Sequence, residues 1–101
     1  MKIERKERKL KFIAEEDIIE TNISDLRDIM LMEAKGKDQD SIVLDISNIN
    51  YLDSCGISLI VGLGKTCQQE KVDFRIDVKS PDIIRLLNAV HIDKVFDVQE
   101  V

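Results

Sequence analysis

The run Ile42-Val43-Leu44-Asp45-Ile46 constrains the fold of this chain more than any other feature, since four of its five residues are apolar and three are β-branched. A compact run of this kind fits a strand buried on both faces in the middle of a sheet. Around it, strand and helix patterns alternate. Residues Arg8–Ala14 place Leu10 and Phe12 on one face, as a half-buried strand near a sheet edge does, and Lys2–Arg5 can pair with it. Asn22 and Ser24 offer N-caps to a helix whose stripe is Ile23, Leu26, Ile29 and Met30, with Gly36 as its C-terminal cap. Val72, Phe74, Ile76 and Val78 alternate strictly with Asp73, Arg75 and Asp77, which predicts a strand with one buried face and one wet face. Ser80-Pro81 sets an N-cap followed by Pro at the first helical position. Ile83, Ile84, Leu87 and Val90 supply the stripe of that helix, and Val95-Phe96-Asp97-Val98 reads as a last short strand. The alternation predicts an α/β domain, with a mixed sheet of four to five strands covered by three to four helices. At 101 residues there is material for one core, so residues 1–101 are read as a single domain with its N-terminal strands in 1–14.

The central strand delivers the chain to Tyr51-Leu52-Asp53-Ser54-Cys55-Gly56, where an apolar run empties into a polar junction and a second apolar run follows. From Gly56 onward Ile57, Ile60, Val61, Gly64 and either Cys67 or Gln68 keep helical spacing. Ser54 therefore stands at a helix N-terminus, where free N–H groups and the positive end of the helix dipole suit an oxygen or an anion. Its hydroxyl can cap the helix or carry a phosphate. Gly62 and Gly64 each disfavour a helix by about 1 kcal/mol relative to Ala, so each implies close approach of something, a neighbouring element or a partner protein.

Several chemistries are excluded. Gly64-Lys65-Thr66 resembles the end of a phosphate-binding loop, but the Gly required five positions earlier is Leu59. Ser54 as a hydrolytic nucleophile needs a base, and the single His, His91, falls at the end of the third helix with no evident route to it. Scattered carboxylates make no acid–base pair, so no enzyme activity is expected. Cys55 and Cys67 on one helix are about 18 Å apart, too far for a disulfide that tolerates about 7 Å between Cα atoms. One His and no Cys-x-x-Cys leave a zinc site without ligands. A thiol at a helix N-terminus can act as a redox sensor, which makes Cys55 a rival to Ser54, although no resolving Cys is near.

No run is long enough to span a bilayer, and charges from Lys2 to Lys9 break up any apolar signal region, so a cytoplasmic location is expected. Met1–Phe12 carries six Lys or Arg against two Glu, so a local charge of +4 leaves −9 for the rest of a chain whose net charge is −5. Without interleaved aromatics the segment reads as a charged edge strand rather than a nucleic-acid contact. A monomer is the default, because no strongly apolar element lacks a core role.

Three stretches together resemble the STAS family, the domain of anti-sigma factor antagonists: Ile42–Ile46, Tyr51–Ile57, and Ser80-Pro81-Asp82-Ile83-Ile84-Arg85-Leu86-Leu87 with Ile92-Asp93-Lys94-Val95-Phe96. The best-matching region is 41–98, and Asp-Ser-x-Gly at a strand-to-helix junction marks the family's phosphorylatable members. Two departures stand out. Cys55 sits where Ser, Thr or Ala is usual, and Ala14-Glu15-Glu16-Asp17 replaces Gly-Glu-x-Asp, matching it only at Glu15 and Asp17.

The resemblance implies a switch. The unphosphorylated protein binds an anti-sigma factor that is also a serine kinase, releasing a sigma factor, and phosphorylation of Ser54 ends the binding. A serine phosphatase restores it. The implied partner-binding residues are Asp53, Ser54, Cys55, Gly56, Ser58, Leu59 and Gly62, with no cofactor, no metal, no direct nucleic-acid contact and no membrane insertion. Two alternatives accompany this reading: a constitutive STAS subunit of a transporter or signalling scaffold, and a thiol redox protein using Cys55.

Overall fold

A computed structural model describes residues 1–35 and 39–101. Five strands form one sheet in the order β1 (Lys2–Lys6), β2 (Lys9–Ile13), β3 (Ser41–Asp45), β4 (Asp73–Val78) and β5 (Asp97–Glu100). β1 and β2 are an antiparallel hairpin, and every later pairing is parallel. The crossovers carry α1 (Ile23–Ala34), α2 (Ser54–Gln69) and α3 (Pro81–Ala89), the last followed by a 3₁₀ turn at Ile92–Lys94. The mixed α/β sheet predicted from the alternation is present.

Strand order follows chain order without reversal, so each right-handed crossover lays its helix on the same side of the sheet. The register shows the outcome. Leu10, Ile42 and Phe74 lie side by side, as do Phe12, Leu44, Ile76 and Val98, and these rows face the helices. The opposite rows, Lys9-Ser41-Asp73 and Lys11-Val43-Arg75-Asp97, are uncovered. β3 therefore does not have the two buried faces expected of it, because Val43 and Asp45 are only half-buried. Charges replace a second helical layer there: Lys11 reaches Asp45 at 3.6 Å, and Arg75 clasps Asp77 through two hydrogen bonds of 2.8 and 3.2 Å. That clasp buries Asp77 on the face expected to be wet.

The core is closed mainly by α2, which buries Leu59, Ile60, Leu63 and Cys67. Cys67, not Gln68, completes its stripe, and burial pushes the Cys67 thiol up to about 11. Gly64-Lys65-Thr66 lies within this helix, where the Thr66 hydroxyl donates to the Gly62 carbonyl at 3.0 Å, so the stretch is no phosphate-binding loop. Gly64 is small because the Phe96 ring packs where a Cβ would stand, edge-on to Phe74 at 5.5 Å between centroids.

Element ends and apolar stripes depart from the sequence pattern at several residues. The last strand starts at Asp97 rather than Val95, since Val95 and Phe96 are drawn into the turn that donates back to Ile92. Val90 ends α3 as its C-cap and is exposed rather than in the stripe. Ile29 is likewise 42% exposed on α1. Asn22 is the N-cap of α1 by position but gives its side chain to the preceding loop, Ser24 lies inside the helix, and the proposed cap Gly36 falls outside the described residues.

Candidate functional site

The C-terminal ends of β2 and β3 open into two loops, 14–22 and 46–53, which two aspartates stitch together. Asp17 accepts through Oδ1 from the Asn50 and Tyr51 N–H groups at 3.0 and 3.2 Å. Asn22 holds Asp17 in place, donating from Nδ2 to its carbonyl at 2.8 Å and accepting from the Ile19 N–H at 3.1 Å. The second aspartate works in the other direction. Asp53 accepts through Oδ1 from the Gly56 N–H at 3.0 Å and through Oδ2 from the Glu20 N–H at 2.9 Å. A parallel bridge between Ile18 and Leu52 lies between the two clasps.

Asp53 is thus the N-cap of α2, with extended φ and ψ of −100° and −171° and its carbonyl accepting from the Ile57 N–H at 3.0 Å. The Gly56 amide, followed by those of Glu20 and Cys55, outweighs partial desolvation and holds the Asp53 carboxyl below the usual carboxylate range. Gly56 is needed because the loop comes so close: a Cβ there would stand 2.7 Å from the Ile18 carbonyl oxygen. The loop that departs from Gly-Glu-x-Asp still performs this bracing, since Ala14 is buried, its N–H donates to the Asp45 carbonyl at 3.0 Å, and Asp17 supplies the clasp.

Ser54 is consequently not the cap allowed for above. It is the first residue of α2, exposed, and among the described residues its hydroxyl has no hydrogen-bond partner. A serine without a base beside it is not an activated nucleophile. The other residues named from the sequence divide by exposure. Ser58 and Gly62 continue the line of Ser54 at four-residue spacing and are exposed, with open space beside Gly62. Asp53 and Cys55 are half-buried, Cys55 packing against the core. Gly56 and Leu59 are buried, so their influence on any visitor to this face is indirect. Four residues here were missed in the sequence: Tyr51 and Val90, 58% and 45% exposed, and the half-buried Ile57 and Leu86, which together border Ser54 and Ser58 in a shallow recess. An apolar Tyr just before the junction was the available signal for the first. Val90 fits a helical stripe equally well and gave none.

The STAS domain family model matches residues 1–101. Among solved structures, a candidate anti-sigma factor antagonist from Thermotoga maritima superposes with a TM-score of 0.89 at 16% identity, covering 99% of this chain and 86% of that one. An anti-sigma factor antagonist from Mycobacterium paratuberculosis gives 0.81 at 17% identity, over 96% and 81%. The Bacillus cell fate determinant SpoIIAA in its phosphorylated form gives 0.79 at 11% identity, over 99% and 89%. The superpositions show a common fold.

Proposed function

The chain belongs to the STAS family, and we propose that within it the protein is a cytoplasmic, non-enzymatic anti-sigma factor antagonist whose binding is switched off by phosphorylation of Ser54. The observation that carries this reading is the exposed Ser54 hydroxyl, left over because Asp53 does the capping, on the rim of an apolar recess. The surface that meets the anti-sigma factor is the line Ser54, Ser58 and Gly62 together with Tyr51, Ile57 and Val90. A kinase can reach Ser54 without opening the fold, and a phosphatase can reach its phosphate.

Charge explains the switch. A phosphoryl group adds about −1.5 to −2 charges. The Gly56 and Ile57 amides are already committed to Asp53, so the phosphate stands in solvent beside that carboxylate and the fold changes little. A docked interface is far more sensitive. Covering an unpaired phosphate there opposes binding by several kcal/mol, and about 4 kcal/mol is roughly a thousandfold in affinity.

The test is intact-mass analysis of the protein purified from its native cells across growth and stress conditions, with fragmentation of the peptide containing Ser54. A population carrying one phosphoryl group on Ser54 is the expected result. Uniformly unmodified protein under all conditions sinks the switch and favours a constitutive scaffold or transporter subunit.

A further inference from the structure

Among the described residues β1 is an unpaired sheet edge with all five residues exposed, and α1 turns Ile29, one turn before the Glu33 that Arg5 reaches, toward the same flank. Ile3 is 37% exposed and Ile29 42%. Arg5 ties the strand to α1 through Glu33 and Gln39, so strand edge and helix present one surface. The hairpin fixes which backbone groups are free. Its two-residue turn Glu7-Arg8 closes on the Lys6–Lys9 pair, and alternation along the ladder then points the N–H and C=O of Ile3 and Arg5 away from β2.

We propose that this flank is the interface of a two-fold symmetric dimer, in which β1 pairs antiparallel with β1 of a second copy about Ile3. A two-fold axis normal to the sheet keeps side chains on their own faces, so the pairing must be centred on a single residue. Centring on Glu4 sets Glu4 against Glu4 and Lys2 against Lys6 on the open side, and Ile3 against Arg5 on the helix side. Centring on Arg5 pairs Glu4 with Lys6 twice but sets two guanidinium groups against each other and Ile3 against Glu7. Centring on Ile3 puts Ile3 against Ile3 on the helix side and Lys2 against Glu4, twice, on the open side. Lys2 and Glu4 already approach to 3.7 Å within one chain, so the open face would carry a closed ring of four alternating charges. The outward amide and carbonyl of Ile3 would join the two chains, with Ile29 of each copy flanking the join on the helix side. The basic character of β1 guards the edge against misaligned partners, while the Ile3-centred register sets no like-charged side chains opposite each other.

Analytical ultracentrifugation of the full chain across the micromolar range tests the dimer. Expected is a reversible dimer that Glu4→Lys weakens by roughly tenfold or more, since two Lys–Glu pairs become Lys–Lys pairs. The double variant Lys2→Glu/Glu4→Lys recreates the pairs with signs exchanged and should recover the wild-type constant. Circular dichroism confirms that these exposed substitutions keep the fold. A monomer at every concentration overturns the proposal, and so does a dimer indifferent to Glu4→Lys or a double variant no better than the single.

Discussion

Two helices of this protein begin after a strand with a serine at the junction, and they use it in opposite ways. In α3, Ser80 is the N-cap: its Oγ accepts from the Ile83 N–H at 3.4 Å, and Pro81 fills the first helical position. In α2 the cap is Asp53, and Ser54 takes the first helical position, exposed and unbonded among the described residues. Moving the serine by one residue relative to the cap turns a structural hydroxyl into one free to be modified. The neighbouring aspartate does more than release it, because Asp53 also holds the Glu20 amide of a second loop. A serine with only two oxygen lone-pair directions on one atom cannot brace a helix and a loop on different sides as a carboxylate does.

The largest expected effect lies on the binding side of the comparison. Ser54→Asp should weaken capture of the anti-sigma factor by a hundredfold or more, roughly the effect of about 3 kcal/mol, while Ser80→Asp leaves it unchanged. Isothermal calorimetry on the purified pair measures both. Equal affinities for Ser54→Ala and Ser54→Asp would end the case for a switch at Ser54.

Gly56→Ala comes next, now in stability. A methyl placed 2.7 Å from the Ile18 carbonyl forces loop and helix apart, an overpacking effect of about 1–3 kcal/mol that urea unfolding would detect. Gly62→Ala makes the control, since nothing lies within 4 Å of its added methyl and helix propensity favours Ala. If both variants were equally stable, the loop would not be clasped against α2 as described.

Acid titration separates the two caps. Asp53 has its folded pKa lowered, so the stability it contributes is present above the unfolded value of 3.8 and is lost as pH falls through the lower folded value. Ser80 does not titrate. Asp53→Asn should flatten the acid limb of the stability profile below about pH 4, and Ser80→Ala should shift the whole profile down by about 1 kcal/mol without changing its shape. Asp45 adds to the same limb: although partial burial works to raise its pKa, the Ser47 hydroxyl and amide and the Lys11 ammonium hold it low.

The difference between the two serines explains how much of the molecule the sequence disclosed. Ser80-Pro81 is legible because proline locks its own φ and leaves one residue able to cap. Asp53-Ser54 is ambiguous because either side chain can cap, and the choice rests on the Glu20 amide, which lies 33 residues away in the chain. Strands and helices were likewise readable where periodicity is local, as in Phe74, Ile76 and Val78. The uncovered sheet face was not, since it follows from all crossovers falling on one side, a property of topology that Val43 and Asp45 cannot announce. Val90 and Ile29 failed for a related reason: a stripe shows which residues share a face, and only the neighbouring elements decide how far along the helix that face is covered.

The smallest expected effect is the sharpest test of the comparison. Ser54→Ala removes a hydroxyl that caps nothing and touches no polar partner among the described residues, so urea unfolding should find a change within about 0.5 kcal/mol of zero, as for an ordinary surface substitution. Alanine also favours helix slightly more than serine, so the sign should be neutral to stabilising. Had Ser54 been the cap, the same substitution would lower stability by about 1 kcal/mol, the amount expected for Ser80→Ala. The two variants measured side by side therefore report which residue starts α2. A large loss at Ser54 would mean that the hydroxyl is spent on the fold, and phosphorylating it would then disturb the helix as well as the interface.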